Sequence, residues 1–137
     1  MREIKFRAWY QENKKMYELA EVNLWGDPDQ ATCELAADDE ELFDIYLHEV
    51  VLMQYAGLKD KYGREICEGD IIERSPYGMP TVKYTSSVLY HDTHCCFVSV
   101  DLDGRVKTFL HEFTHTHEIE VIGNIYDNPE LLKEVIE

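Results

Sequence analysis

The chain has 137 residues, 45% of them hydrophobic and 30% charged, and it carries a net charge of −15. This length and composition are typical of one soluble globular domain that needs neither disulfides nor a metal to form its core. The chain contains no apolar run of the ~20 residues that a membrane-spanning helix needs, and its charged start lacks the apolar part of a signal peptide. We therefore expect a cytoplasmic protein without membrane contacts.

The negative charge is unevenly distributed along the chain. No Lys or Arg occurs between Lys15 and Lys59, whereas 11 acidic residues do. A field of this sign repels nucleic-acid phosphates, so direct binding to DNA or RNA is disfavoured and a basic protein surface or a cation is favoured. The alternative is an acidic surface that only keeps the protein dispersed.

The first elements are predicted to form a hairpin. Apolar and charged residues alternate from Ile4 to Ala8, which is the periodicity of a strand with one buried face. The polar residues 11–15 are predicted to form the turn. A second strand is predicted over 16–25, because Gly and Pro then interrupt regular structure at 26–29.

Residues 27–41 are predicted to be an acidic loop or insertion, since they contain few large apolar side chains. The four acids of 38–41 are followed by apolar residues at helical spacing, and acidic residues suit the first turn of a helix. We therefore expect a short helix near 39–47 and then a buried strand from Val50.

The segment from Gln54 to Arg74 is predicted to form two strands joined by a tight turn, followed by a corner and a further strand. Gly63 is placed to supply a positive φ in the turn, and Gly69-Asp70 is placed at the corner. We interpret the Asp70 carboxylate as a structural group of this corner rather than as a catalyst.

Asp103-Gly104 is the strongest short hairpin signal in the chain. A two-residue loop would pair Val100 with Lys107. A three-residue loop, with a bulge at the glycine, would instead pair Val100 with Val106 and keep one apolar face together. We predict the three-residue loop.

The last elements are a strand at 119–122 and a short helix. Asn128-Pro129-Glu130 supplies the polar cap, the proline and the acid that typically begin a helix. The apolar residues that follow predict that this helix has one buried side.

Three blocks of sequence lie in a characteristic order. They are residues 2–9 (REIKFRAW), residues 53–72 with their GLKDK and EGDII motifs, and residues 120–132 with EVIGNIY and NPELL. Together they resemble the YopX-like proteins of bacteriophages and prophages. Tyr10 and Tyr62 stand where Asp and Asn are usual, and both lie at predicted turns.

The resemblance implies a small β-rich protein made from phage or prophage genes in the cytoplasm of a bacterial host. It transfers no catalytic residue and no cofactor to this chain. By analogy it also implies that self-association is an option.

Histidines and cysteines on both sides of the predicted hairpin are candidates for a metal site. Imidazole and thiolate are good zinc ligands, and antiparallel strands would bring both groups to one end of a sheet. Their spacing matches no standard zinc pattern, so we predict no metal and no cofactor. The alternative metal site would use His91, His94, Cys95, His111, His115 and His117.

Other reactive constellations are weaker. Cys67 lies beside acids that disfavour a thiolate, and the sequence has no nucleophile elbow, phosphate-binding glycine loop or metalloprotease helix. A predicted turn next to Tyr62 carries three basic side chains, those of Lys59, Lys61 and Arg64. We interpret this turn as a solvated hairpin tip rather than as a nucleic-acid site. We therefore expect a protein that is not an enzyme.

These patterns predict an α+β, β-rich fold, namely a small antiparallel sheet or SH3-like barrel with an N-terminal hairpin and one or two short helices. We expect a single domain over residues 1–137. Its parts would be an N-terminal hairpin and acidic insertion (1–53), a β-rich body (54–125) and a C-terminal helix (126–137).

The function that we expect is that of an accessory protein that binds another protein or itself. One alternative is an acidic mimic of nucleic acid, in which residues 27–49 occupy the basic groove of a host protein. The other alternative is a His/Cys metal-binding module.

Overall fold

The computed structural model describes residues 4–37, 41–101 and 107–132. The chain divides into two compact units, residues 1–55 and residues 56–137. This division falls close to the predicted boundary between residues 53 and 54. The expectation of a single domain stays a prediction.

The first unit is built from antiparallel strands in the order β4-β3-β2-β1-β5. A 3₁₀ turn follows β4 at Leu47–Glu49, and β5 continues past Tyr55 into the second unit. The strands are β1 (Phe6–Tyr10), β2 (Lys15–Asn23), β3 (Thr32–Ala36), β4 (Leu42–Tyr46) and β5 (Val50–Lys59).

One face of this sheet carries the core of the first unit. Its buried members come from all five strands: Ala8, Tyr17, Cys33, Leu35, Ile45 and Val50. The predicted N-terminal hairpin is confirmed, since β1 and β2 pair from Arg7↔Glu18 to Tyr10↔Lys15. Lys14 completes its turn with a φ of 54°.

Two predictions for residues 27–47 are wrong. Residues 32–36 form β3 rather than a loop, and residues 42–46 form β4 rather than a helix. Burial alternates along both segments: Cys33 and Leu35 are buried in β3, and Ile45 is buried while Asp44 is exposed in β4. This period of two is that of a strand, and the pairing of β3 with β2 and of β4 with β3 provides the hydrogen bonds that the acidic segment could not make alone. Residues 38–40 lie outside the described residues.

The second unit contains a sheet of five antiparallel strands in the order β10-β9-β8-β7-β11. A short strand, β6, lies beside the end of β5, and one helical turn, α1 (Leu110–Phe113), follows β10. The strands are β6 (Glu65–Cys67), β7 (Asp70–Pro76), β8 (Tyr84–His91), β9 (Cys96–Asp101), β10 (Lys107–Phe109) and β11 (His117–Asn124). The core residues are Ile66, Ile72, Val88, Leu110, Phe113 and Ile119.

The β-rich antiparallel fold with short helical turns is confirmed, and the barrel alternative is not. In each unit the strands follow one another in a linear order with two edges, so the described residues form no closed barrel. The described residues also include no helix of the length and apolarity that crossing a membrane requires.

The predicted register of the β9–β10 hairpin is wrong. Val100 pairs with Lys107, the arrangement of the two-residue loop, although residues 102–106 lie outside the described residues. This register also pairs Thr108 with Ser99 and Phe109 with Val98. Away from the turn, a polar residue therefore lies opposite a polar one and an apolar residue opposite an apolar one. Val98 and Ser99 are both buried there. Packing of both faces, rather than the residues next to the turn, decides the register.

The last strand is longer than the predicted 119–122, since β11 begins at His117, and a 3₁₀ turn lies at the start of the predicted helix. β11 ends at Asn124, and a 3₁₀ turn spans Pro129–Leu132. The rest of the predicted helix, residues 133–137, lies outside the described residues.

Candidate functional site

An open cavity of about 470 Å³ lies in the first unit. Its walls combine three aromatic rings with two carboxylates, from Tyr10, Phe43, Tyr46, Asp44 and Glu49. Thr32 and Ile45 complete the lining.

The free edge of β4 forms one side of this cavity. Phe43 and Ile45 belong to the inward face of β4, whereas Asp44 and Tyr46 belong to its exposed face. Because residues of both faces line one cavity, the cavity must open at the strand's edge. Among the strands that the structure describes, β4 is the last one of the first unit on that side.

The aromatic wall continues into the core. The ring centroids of Tyr10 and Phe43 are 6.4 Å apart, and Tyr17 packs edge-on against Phe43 at 5.2 Å. On the exposed side, the Tyr46 ring stacks on His48 at 5.4 Å. The inner rings are thus held by packing, and about half of the Tyr46 side chain, 51%, is exposed.

The electrostatic environment of the cavity is negative. The Tyr10 hydroxyl donates a hydrogen bond of 2.6 Å to Glu12 Oε2. This bond, burial, and the charges of Glu12 and Glu49 raise the pKa of Tyr10 to about 12. Burial, reinforced by the charges of Asp44 and Glu49, also raises the pKa of the Cys33 thiol. Both groups therefore stay neutral at physiological pH, and the negative charge of the cavity wall comes from its carboxylates.

A row of carboxylates adjoins the cavity. In the strand registers Glu21 lies opposite Glu34, and Glu34 lies opposite Asp44. These three acids line a second, polar cavity of about 360 Å³. Like charges opposite one another on adjacent strands destabilise a sheet. The row therefore has an unfavourable energy that a cation would relieve.

This combination of groups is suited to holding a cationic side chain. Aromatic faces attract an ammonium or guanidinium group, and carboxylates supply charge-assisted hydrogen bonds. Among the described residues no ion pair joins Asp44 or Glu49 to a basic side chain, and the neighbouring cation, Lys15, lies over the ring of Tyr17 behind Phe43.

Sequence reasoning missed this cavity because it assigned residues 39–47 to a helix. The signal that could have identified a strand was the run of aromatic and β-branched residues Phe43, Ile45 and Tyr46, which is typical of strands. The contribution of Tyr10 came from a distant strand and had no local signal.

The histidine candidates separate into different surroundings. His91 and His94 meet, with Nδ1 atoms 3.1 Å apart, and His91 Nδ1 also accepts the His94 backbone N–H. His94 packs on Phe109, which in turn stacks on His111 at 5.9 Å. In this turn Cys95 has a φ of 52° and directs its thiol to the Asp92 carbonyl.

His117 has other neighbours, and His115 is exposed. The His117 ring packs edge-on against Phe113 at 5.0 Å, and its Nε2 lies 3.5 Å from Arg74 Nη1. Burial and the charge of Arg74 lower the pKa of His117. In the part of the chain that the structure describes, no three His, Cys, Asp or Glu side chains are placed to share a metal ion.

The segment from Gln54 to Arg74 is held by buried carboxylates. Gly63 and Gly69 have the left-handed conformation expected of them, with φ of 81° and 87°. Asp70 is buried and accepts the Cys67 backbone N–H at 2.8 Å. These contacts give Asp70 the structural role that the sequence predicted.

The basic turn that precedes Asp70 is neutralised within the second unit. Lys61 and Arg64 each lie 3.8 Å from Glu120, and Arg64 also lies 3.5 Å from Asp60. Both cations lie over the ring of Tyr62. This pairing leaves little free positive charge to attract a phosphate backbone.

Comparison with known proteins identifies relatives of the whole chain. The profile of the YopX protein family matches residues 5–133. The crystal structure of protein EF1440 from Enterococcus faecalis is 27% identical, with a TM-score of 0.65 over 97% of this chain and 100% of that one. Protein yopX from Bacillus subtilis is 22% identical, with a TM-score of 0.65 over 99% and 100% of the two chains. No curated protein matches the sequence.

Proposed function

The chain belongs to the YopX protein family, and we propose that it is a non-catalytic interaction protein that binds a basic protein partner through its first unit. In this proposal it acts as a phage or prophage accessory protein in the cytoplasm of a bacterial host. A Lys or Arg side chain of the partner enters the cavity at the edge of β4.

The observation that carries this proposal is the composition of the cavity wall. Three aromatic side chains and two carboxylates, which form no ion pair with another described residue, surround a space of about 470 Å³. This space accommodates a long cationic side chain. Cation–π contacts contribute roughly 0.5–2 kcal/mol each, depending on desolvation. The two carboxylates add charge-assisted hydrogen bonds.

The surface of the first unit also favours a protein partner. Its side chains include Trp25, 90% exposed, and Leu24, 69% exposed. Aromatic anchors of this kind are typical of protein interfaces. Residues 1–55 carry 13 acidic and 5 basic side chains, so two copies of this surface would repel each other. A different, basic protein is therefore the favoured partner over self-association.

The row of Glu21, Glu34 and Asp44 favours a second candidate, the acidic mimic of nucleic acid. A mimic would present regularly spaced carboxylates to a basic groove and would need no aromatic cavity. The two functions therefore depend on different side chains. Binding in the cavity depends on Tyr46, and mimicry by the carboxylate row depends on Glu34.

The proposal is tested by titrating the protein with N-acetyl-lysine amide and N-acetyl-arginine amide while recording amide NMR shifts. We expect saturable shifts at Phe43, Asp44 and Tyr46 that weaken with salt, and none from the uncharged N-acetyl-norleucine amide. Asp44→Asn and Glu49→Gln should each weaken binding by about three- to ten-fold. Glu118→Gln, the same charge change at an exposed position of β11, should leave it unchanged.

A second titration separates the two candidates with decalysine as the probe. If the cavity binds the lysine side chains, Tyr46→Ser weakens the affinity for decalysine more than Glu34→Gln does. The reverse order would support the mimic and reject the cavity. Shifts of equal size with the norleucine amide would also reject it.

A further inference from the structure

β4 offers backbone groups as well as a cavity at its free edge. The described residues place β3 on one side of β4 and no strand on the other. The Leu47 N–H donates to the Ala31 carbonyl, and the Ala37 N–H donates to the Glu41 carbonyl. In an antiparallel ladder such bonded pairs alternate, so odd-numbered residues of β4 bond to β3 and even-numbered residues face outward.

The hydrogen bond at the end of β4 agrees with this parity. The Tyr46 N–H, which faces outward, is taken by the Glu49 carboxylate at 3.2 Å. Leu42 and Asp44 therefore present their N–H and C=O groups at the edge, and Glu49 closes one end of it. Each of the two outward residues can exchange a pair of hydrogen bonds with an incoming strand.

This edge carries only part of the usual protection against strand addition, namely the short length of β4, the charge of Asp44 and the bond of Glu49 to the Tyr46 N–H. Natural edge strands carry Lys, Pro or a bulge that prevents pairing with another chain. The sequence of β4, LFDIY, contains none of these, and its pairing with β3 is regular over five residues. Its charge is negative at Asp44, so the edge repels acidic chains and admits basic ones.

From the parity of β4 and the cavity at its edge, we infer that β4 binds an extended basic peptide as an additional strand. The inference rests on the proposed function and specifies the partner as a segment that alternates basic and apolar residues. A residue directly opposite Asp44 projects on the same face as its carboxylate, so that residue is Lys or Arg. The neighbouring residues of the peptide project towards the face of Phe43 and Ile45 and are apolar.

The test uses the hexapeptide acetyl-Val-Arg-Val-Arg-Val-Arg-amide and two N-methylated forms. One form carries methyl groups on the three Arg nitrogens and the other on the three Val nitrogens. All three peptides have the same charge and the same side chains. In an added strand every second N–H group faces β4, so the two methylated forms block different sets of N–H groups. Affinities are measured by fluorescence anisotropy of labelled peptides with the full chain.

We expect methylation of the Arg nitrogens to weaken binding by about ten-fold or more, because those groups face Asp44. Methylation of the Val nitrogens should change the affinity by no more than about two-fold. Equal affinities for all three peptides would overturn strand addition. If Asp44→Asn still weakened binding in that case, the cavity would remain the binding site; if it did not, the proposed function would fail as well.

Discussion

The Asp60 carboxylate accepts a hydrogen bond from the backbone N–H of Val121, with 3.0 Å between Oδ2 and the nitrogen. Its other oxygen accepts the backbone N–H groups of Tyr62 and Arg64 at 3.0 and 2.8 Å. One side chain therefore shapes the turn after β5 and attaches it to β11. The Lys61 N–H strengthens this attachment by donating to the Ile119 carbonyl at 2.8 Å.

Replacing Asp60 should destabilise the second unit. Asp60→Ala leaves three backbone N–H groups without their acceptor at a buried position, and we expect a loss of about 2–4 kcal/mol. Urea denaturation measures this loss. Arg64→Met keeps the backbone N–H bond to Asp60 and removes the ion pairs with Asp60 and Glu120 and the contact with the Tyr62 ring. Because the Arg64 side chain is exposed, this change should cost less than about 1 kcal/mol. Similar losses for the two variants would contradict the role assigned to the backbone bonds.

Asp60 should also shape the stability of the protein in acid. Burial opposes ionisation of this carboxyl, but the bonds from Val121, Arg64 and Tyr62 and the charge of Arg64 outweigh it and lower its pKa. The stabilisation is therefore complete above the pKa of the unfolded chain, near 4, and disappears as the pH falls below it. Asp60→Asn should flatten the dependence of unfolding free energy on pH below about pH 4.

His117 should produce a separate dependence on pH. Its pKa is lowered by burial and by Arg74, so the unfolded chain binds the proton more tightly than the folded chain. Stability should therefore fall as the pH drops below the unfolded pKa of about 6.5. His117→Gln should remove this slope, and Arg74→Met should reduce it. A wild-type slope of the opposite sign between pH 5 and 7 would contradict the geometry.

Gly123 should not tolerate a side chain. A Cβ atom at this position would lie 2.5 Å from Asn128 Oδ1, which accepts the Asn124 backbone N–H at 3.2 Å. We expect Gly123→Ala to cost about 1–3 kcal/mol. A double-mutant cycle with Asn128→Ala should show strong coupling, because this change removes the two nearest atoms, Oδ1 and Cγ, and leaves only the Cβ at 3.0 Å. Independent, additive effects would show that the cost has another origin.

The carboxylate row should reduce the stability of the free protein. Glu34 is flanked by Glu21 and Asp44, so Glu34→Gln should stabilise the first unit by roughly 0.3–1 kcal/mol at low salt. The gain should shrink as salt screens the wild-type repulsion. The matched variant Glu118→Gln, in β11, should show no comparable gain. Thermal unfolding of both variants at about 20 mM and about 500 mM salt measures how much of the gain depends on salt.

Local signals in the sequence predicted much of the fold. The N-terminal hairpin, the turn at Gly63, the corner at Gly69-Asp70 and the final strand lie where turn residues and alternation placed them. These elements are encoded within a few residues because a positive φ or a period of two depends mainly on neighbouring residues. The expected antiparallel, β-rich fold follows from the same signals.

Only the tertiary structure determined the features that depend on distant residues. β3 becomes a strand because β2 offers it an edge, and β4 becomes one by pairing with β3. The β9–β10 register is set by packing on both faces. The cavity joins Tyr10 to Phe43 across the sheet, and Asp60 reaches Val121 across 61 positions of sequence. Hydrogen bonds and ring contacts act through space, so a short window of sequence predicts the turn at Asp60 but not its attachment to β11.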